Sequence, residues 1–186
     1  GDRPTIVQDY TREAPALKKA LGKLFAAPGS GATVLEAISE VTRGLAKRDA
    51  ERAAILVIWL GGPEFSNAAH LEILEQVKQS GASLNVLTLG SGVPPDVATS
   101  EGRHRESLFD RGTRETGGRR QNILSSMGLT DALGKFATDF ENQYRVTYAR
   151  PETLLPPDTI EVTVKNPVLL ARGTPLRLVK KGSEAK

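Results

Sequence analysis

Two apolar runs constrain this chain more than any other feature: Ala53-Ala-Ile-Leu-Val-Ile-Trp-Leu60 and Ser83-Leu-Asn-Val-Leu-Thr-Leu89. Both are far shorter than the ~20 residues a membrane-spanning helix needs, and their β-branched content predicts buried strands. Both end on glycines, Gly61-Gly62-Pro63 after the first and Gly90-Ser91-Gly92 after the second. Between them Leu71, Leu74 and Val77 recur at helical spacing, with Ser66 or Asn67 as the expected cap and Gly81 as the stop. A helix joining two strands that are apolar throughout predicts parallel pairing, right-handed crossovers and cover on both sheet faces. The expected fold class is α/β, a doubly wound and mostly parallel sheet with helices on both faces.

The flanking segments fit this frame. Thr5-Ile-Val-Gln-Asp-Tyr10 is β-rich and reads as a short edge strand. After Thr11, a helical face carries Leu17, Leu21, Leu24 and Phe25, until Pro28-Gly29-Ser30-Gly31 breaks it. A second helix follows with Val34, Leu35, Ile38, Val41 and Leu45 as its stripe, and Thr33 with Glu36 has capping-box spacing. Val93 to Met127 is interrupted by glycines, and six arginines alternate with four acids between Glu101 and Arg120. That stretch reads as a solvated loop holding at most one short helix, the alternative being a patch for phosphate or an acidic partner. A last helix carries Leu129, Leu133, Phe136, Ala137 and Phe140. Beyond it Tyr144, Val146 and Tyr148 alternate, as do Ile160, Val162 and Val164, with Leu176 and Leu178 a weaker run; these predict antiparallel C-terminal strands. Residues 1–150 form the expected main domain, and 151–186 a β extension packed on it.

The chemistry narrows by elimination. Over 186 residues, 25 Lys and Arg stand against 22 Asp and Glu, a surplus of +3 that is too small to imply nucleic acid. Without cysteine there is no thiolate metal site and no thiol nucleophile. Gly29-Ser-Gly-Ala-Thr33 superficially resembles a phosphate cradle, but Ala32 stands where a P-loop needs its lysine, so a tight turn plus a cap explains it. His70 and His104 are the only imidazoles and belong to no metal or triad spacing; both read as surface residues. The pairs Asp49/Glu51 and Glu101/Glu106 fall on wet segments, and no catalytic constellation emerges. In open α/β sheets, ligands collect at the carboxyl ends of the strands. That rim gathers the loops holding Thr33, Gly61 to Phe65 and Gly90 to Pro95, with Trp59 as core and Phe65 as a locally packed lid.

Taken in order, several stretches resemble a von Willebrand factor A (VWA) domain, and more narrowly the bacterial VWFA-related subfamily of acidobacterial type. They are Thr5-Ile-Val-Gln-Asp-Tyr-Thr11, Gly31-Ala-Thr-Val-Leu-Glu-Ala37, Ala54-Ile-Leu-Val-Ile-Trp-Leu-Gly-Gly62 and the run from Ser80 to Leu89. Glu115-Thr-Gly-Gly118, Phe140-Glu-Asn-Gln-Tyr-Arg-Val-Thr-Tyr148 and, for the subfamily's terminal extension, Ile160-Glu-Val-Thr-Val-Lys165 continue the likeness across roughly the whole chain. The resemblance implies a protein-binding module of an extracytoplasmic or secreted bacterial protein, with no bond-making catalysis. Its metal-ion-dependent adhesion site would hold Mg²⁺ or Mn²⁺ through an Asp-x-Ser-x-Ser loop, a Thr and an Asp.

Of those ligands only Thr33 has a match here. Gly61-Gly62 stands where the family has Asp-Gly, with Glu64 as a poor substitute, and the chain opens on Gly1-Asp2-Arg3-Pro4 downstream of the first loop. One hydroxyl without a confirmed carboxylate does not hold Mg²⁺ against its hydration shell. The expectation is therefore no cofactor, with Mg²⁺ or Mn²⁺ only if upstream residues supply ligands. A partner protein would be met by a rim of Thr33, Gly61, Gly62, Glu64 and Phe65. No nucleic-acid contact and no membrane span are expected. The family's first strand would lie beside Ala54 to Leu60, so its loss predicts an unpaired edge and self-association. The other readings are a purely scaffolding domain of a larger bacterial protein and, further off, an α/β hydrolytic enzyme.

Overall fold

In a computed structural model, residues 3–25, 31–48, 52–90, 95–144 and 162–173 are described. Along the chain run α1 (Ala14–Leu21), α2 (Val34–Arg48), β1 (Ala54–Trp59), α3 (His70–Ser80), β2 (Ser83–Leu89), α4 (Ser100–Glu115), β3 (Arg120–Ile123) and α5 (Leu129–Glu141). The fold is α/β, with five helices and a three-stranded parallel sheet among the described residues, ordered β1-β2-β3. Ala54 aligns with Ser83 and Trp59 with Thr88, while Val86 aligns with Arg120 and Leu89 with Ile123.

Strand pleating sorts the apolar residues onto two faces. Ile55, Val57 and Trp59 of β1 and Leu84 and Val86 of β2 pack against Leu35, Ile38 and Leu45 of α2, Ile73, Leu74 and Val77 of α3, and Leu108 and Phe109 of α4. Leu56, Leu87, Leu89 and Ile123 turn to the opposite side and meet Ala132, Phe136 and the flank of α5. Among the described residues, one face therefore lies under three helices and the other under one. At the close of α3, Gly81 takes φ +72°, a left-handed C-cap that side chains with a Cβ rarely adopt.

Several local expectations are corrected. Thr5 to Tyr10 forms no strand; Asp9 instead pairs with Arg48 at 2.9 Å, and Tyr10 lies under the same guanidinium at 4.2 Å. The apolar stripe of α1 is not packed inside: only Ala20 is buried, and Leu21 is 64% exposed. The segment read as a loop contains the sixteen-residue α4 followed by β3. Its buried positions are Gly102, Arg105, Leu108, Phe109, Gly112 and Thr113, a helical stripe built largely from small residues and one arginine. A Cβ on Gly112 would meet the Leu84 side chain at 2.6 Å, and one on Gly102 would meet the Asp96 carbonyl at 2.0 Å, so glycine lets α4 approach closely. Neither Tyr144 nor Val162 and Val164 lies in a strand. Val146, Tyr148, Ile160, Leu176 and Leu178 lie outside the described residues, as do Pro28 to Ser30, Asp49, Glu51 and Ser91 to Pro94. Arg172 is joined to α5 through Asp139 at 2.5 Å.

Candidate functional site

The carboxyl end of β1 leads into a turn that no ordinary residue would make easily. Gly61 and Gly62 take φ +96° and +106°, so the backbone conformation itself calls for glycine. Past the turn, Glu64 forms a parallel bridge with Ala32: Ala32 N donates to the Pro63 carbonyl at 2.9 Å, and Phe65 N to the Ala32 carbonyl at 2.7 Å. This bridge draws the loop before α2 against the loop after β1. Phe65 lies over Gly31, where an added Cβ would fall 1.8 Å from the ring.

The N-terminus of α2 is satisfied from across the fold. Val34 N donates to Glu64 Oε1 at 2.9 Å, and Leu35 N donates to Ser66 Oγ at 3.1 Å. The Ser66 hydroxyl in turn donates to Glu64 Oε1 at 2.5 Å. These bonds replace two local expectations. Glu36 does not close a capping box on Thr33, because its Oε1 accepts from Asn67 N at 2.7 Å. Neither Ser66 nor Asn67 caps α3, whose N-cap is Ala69 without a side-chain bond. A carboxylate at a helix N-terminus also meets the favourable end of the helix dipole.

Glu64 is linked to a second, more deeply buried charge system. Its backbone N donates to Asp96 Oδ2 at 3.1 Å. Arg105 is 0% exposed, and its two terminal nitrogens donate to Asp96 at 2.5 and 3.0 Å. The guanidinium also reaches Glu106 at 3.2 Å and lies 4.4 Å above the Trp59 ring. Glu106 is shared with Arg120 at 2.5 Å. A buried arginine is tolerable only when paired and hydrogen-bonded in this way.

The electrostatics follow from burial and pairing. Burial pushes the Glu64 carboxyl above its ordinary pKa, although hydrogen bonds from Ser66 and Val34 and the charge of Arg105 pull the other way. Its Oε2 is buried without a hydrogen-bond partner, which keeps the ionised form costly. Burial acts in the same direction on Asp96, but the Arg105 hydrogen bonds and charge outweigh it and hold that carboxyl below the usual range.

The five expected rim residues thus separate. Gly61, Gly62 and Phe65 are exposed, Phe65 by 59%, and Thr33 is half-buried just ahead of α2. Glu64 is only 3% exposed, so its side chain belongs to the scaffold of the rim and not to its outer surface. The sequence does not single out Asp96 or Arg105, and it marks Ser66 only as a cap for α3, not as a partner of Glu64 and α2. The available signal was the spacing Gly102, Arg105, Phe109, Gly112, helical once glycine is counted as an inward position.

His70 and His104 correct the sequence reading more sharply. They are not separate surface residues: their Nδ1 atoms lie 2.8 Å apart between α3 and α4, with ring centroids 5.0 Å apart. His70 is held below the ordinary imidazole pKa by burial first, then by the charges of His104 and Arg111.

Among the described residues, no three or more His, Asp or Glu side chains are grouped so as to hold a metal ion. No helix among them is long and apolar enough to cross a membrane. No protein-family model matches the chain, and no curated protein matches it either.

Proposed function

We propose that this chain is a VWA-type protein–protein interaction module with a degenerate metal-ion-dependent adhesion site. Its contact surface is the rim of Thr33, Gly61, Gly62 and Phe65, supported from beneath by Glu64. The observation that carries the reading is the Glu64 carboxylate seated on the α2 N-terminus, where Val34 N and Ser66 Oγ both donate to the same oxygen. In the family this reading invokes, a hard cation ties the loops at this end of the sheet together. Here an internal carboxylate joins the α2 and β1 loops, and its backbone N joins them to Asp96. The left-handed backbone at Gly61 also disfavours a ligating aspartate at that position. The rim is preorganised for contact, and Phe65 is an exposed aromatic of the kind that anchors protein interfaces.

A photo-crosslinker placed at position 65 and exposed to host extract tests this reading. Discrete protein adducts that survive a chelator are expected, and they should vanish when the probe is moved to the exposed Glu40 on α2. Adducts that require Mg²⁺, or turnover of generic esters or phosphates, would contradict it.

A scaffolding role within a larger assembly is favoured by a different observation. Val7, Leu17, Leu21 and Leu24 line an apolar groove of about 310 Å³. Ile58 of β1, an edge strand among the described residues, is 46% exposed. Unpaired apolar edges associate, and light scattering that shows concentration-dependent self-association would support this second reading.

A further inference from the structure

The chain contains two histidines, 34 positions apart and on different helices, and they meet Nδ1 to Nδ1 at 2.8 Å. In the neutral pair one Nδ1 carries the proton and the other accepts it, so two ring nitrogens converge on one point between α3 and α4. That convergence is also what a borderline divalent ion requires. Zinc binds imidazole nitrogen at ~2.0–2.1 Å in tetrahedral geometry, which sets two such nitrogens roughly 3.3 Å apart. To exchange their shared proton for the ion, the rings would need to part by about half an ångström and each turn by roughly 35°, so that both nitrogens face a common apex.

A third donor lies on α4. Glu101 precedes His104 by three residues, which places both on one face of the helix; its carboxylate is held at the helix start by its own backbone N–H and by Ser100 and Thr99, and it also feels the His104 charge. His70, His104 and Glu101 do not form a closed cluster as placed, so Glu101 must change rotamer to join. The nearby Arg111, which would repel a cation, is neutralised by Glu115 at 2.9 Å. Both histidines are only half-buried, which leaves the pair accessible to an ion from solvent.

We infer that His70 and His104, completed by Glu101, form a site for Zn²⁺ or a similar first-row divalent ion that clamps α3 to α4. It is chemically distinct from the rim, since imidazole selects zinc, copper and nickel whereas Mg²⁺ prefers oxygen. Metal binding would displace the proton that the two rings share.

Calorimetric titration of the whole chain with ZnCl₂ at pH 7.5 tests this. A 1:1 isotherm and a raised Tm are expected, with at least tenfold weaker binding in His70→Ala and in His104→Ala and a smaller loss in Glu101→Gln. The ¹⁵N resonances of both rings in the unmodified chain give a second readout that needs no variant to fold: zinc should shift both Nδ1 signals together. No binding at a tenfold excess of zinc, binding that survives either histidine substitution, or ring signals that ignore zinc would each overturn the assignment.

Discussion

The rim beneath the carboxyl ends of β1 and β2 and the surface around α1 invert the usual distribution of side chains. At the rim, charge is inside: Arg105 has no exposed surface and Asp96 and Glu64 have little. Around α1, apolar groups are outside, with Leu17, Leu21, Leu24 and Phe25 all exposed. Burying ions costs several kcal/mol each unless partners are positioned well, so the rim network fixes loop geometry more than it adds stability. Exposing an apolar stripe forfeits roughly 25 cal/mol for each Å² left in water, so that surface gains most from being covered. The first region holds its geometry through internal pairs, whereas the second leaves apolar surface in water that a contact would remove.

Substitutions should separate the two regions. Removing Arg105 leaves Asp96 near-buried without its partner, and Arg105→Ala is expected to cost about 3–5 kcal/mol in urea unfolding. A loss below 1 kcal/mol would mean that the network is not closed in solution. Phe109→Ala, in the core beside Trp59 at a 6.4 Å centroid separation, should cost a comparable ~3–5 kcal/mol. Leu21→Ala, by contrast, should fall within about 0.5 kcal/mol, as surface substitutions do. A large effect at Leu21 would show that α1 is covered in solution.

The pH dependence sharpens the same contrast within the rim. Asp96 is held below its ordinary range, so its contribution is present above the unfolded carboxylate pKa and is lost as pH falls through the lower folded value. Glu64 has the opposite sign. Its folded pKa is raised, so its contribution is fully present below the unfolded value and is lost as pH rises through the folded one. Glu64→Gln, which keeps an acceptor for Val34 N, should therefore gain stability relative to the unsubstituted chain as pH rises from 4 to 7. Paired unfolding curves whose difference does not change with pH would contradict that. The smallest expected effect is at the β1 edge, where Ile58→Lys should reduce concentration-dependent light scattering with little change in Tm.

Much of the scaffold was legible because it rests on local periodicity. The continuous apolar runs at β1 and β2, the glycine stop after α3 and the Leu129, Leu133, Phe136 stripe of α5 all appear where their patterns place them. The helix α4 was not, because hydrophobicity is a poor guide when a helix buries glycines and a paired arginine. Leu84 packs against Gly112, and Asp96 meets both Gly102 and Arg105, yet these partners are distant or unremarkable in the chain. The caps on α2 failed for a related reason. Thr33 and Glu36 satisfy the local rule, but Glu64 and Ser66 arrive from about thirty residues away and take the amides. The histidine contact spans 34 positions and leaves no local trace. Spacing exposes what neighbours in sequence do together, whereas this site is assembled from loops that only the fold unites.

The central claim is that Glu64, and not a hard cation, secures the α2 N-terminus and the rim. Amide hydrogen exchange at Val34 and Leu35 tests it most directly. The account predicts slow exchange in the presence of EDTA, no change on adding Mg²⁺, and a loss of protection in Glu64→Ala while the β2 amides stay protected. Fast exchange at Val34 that Mg²⁺ slows would contradict it.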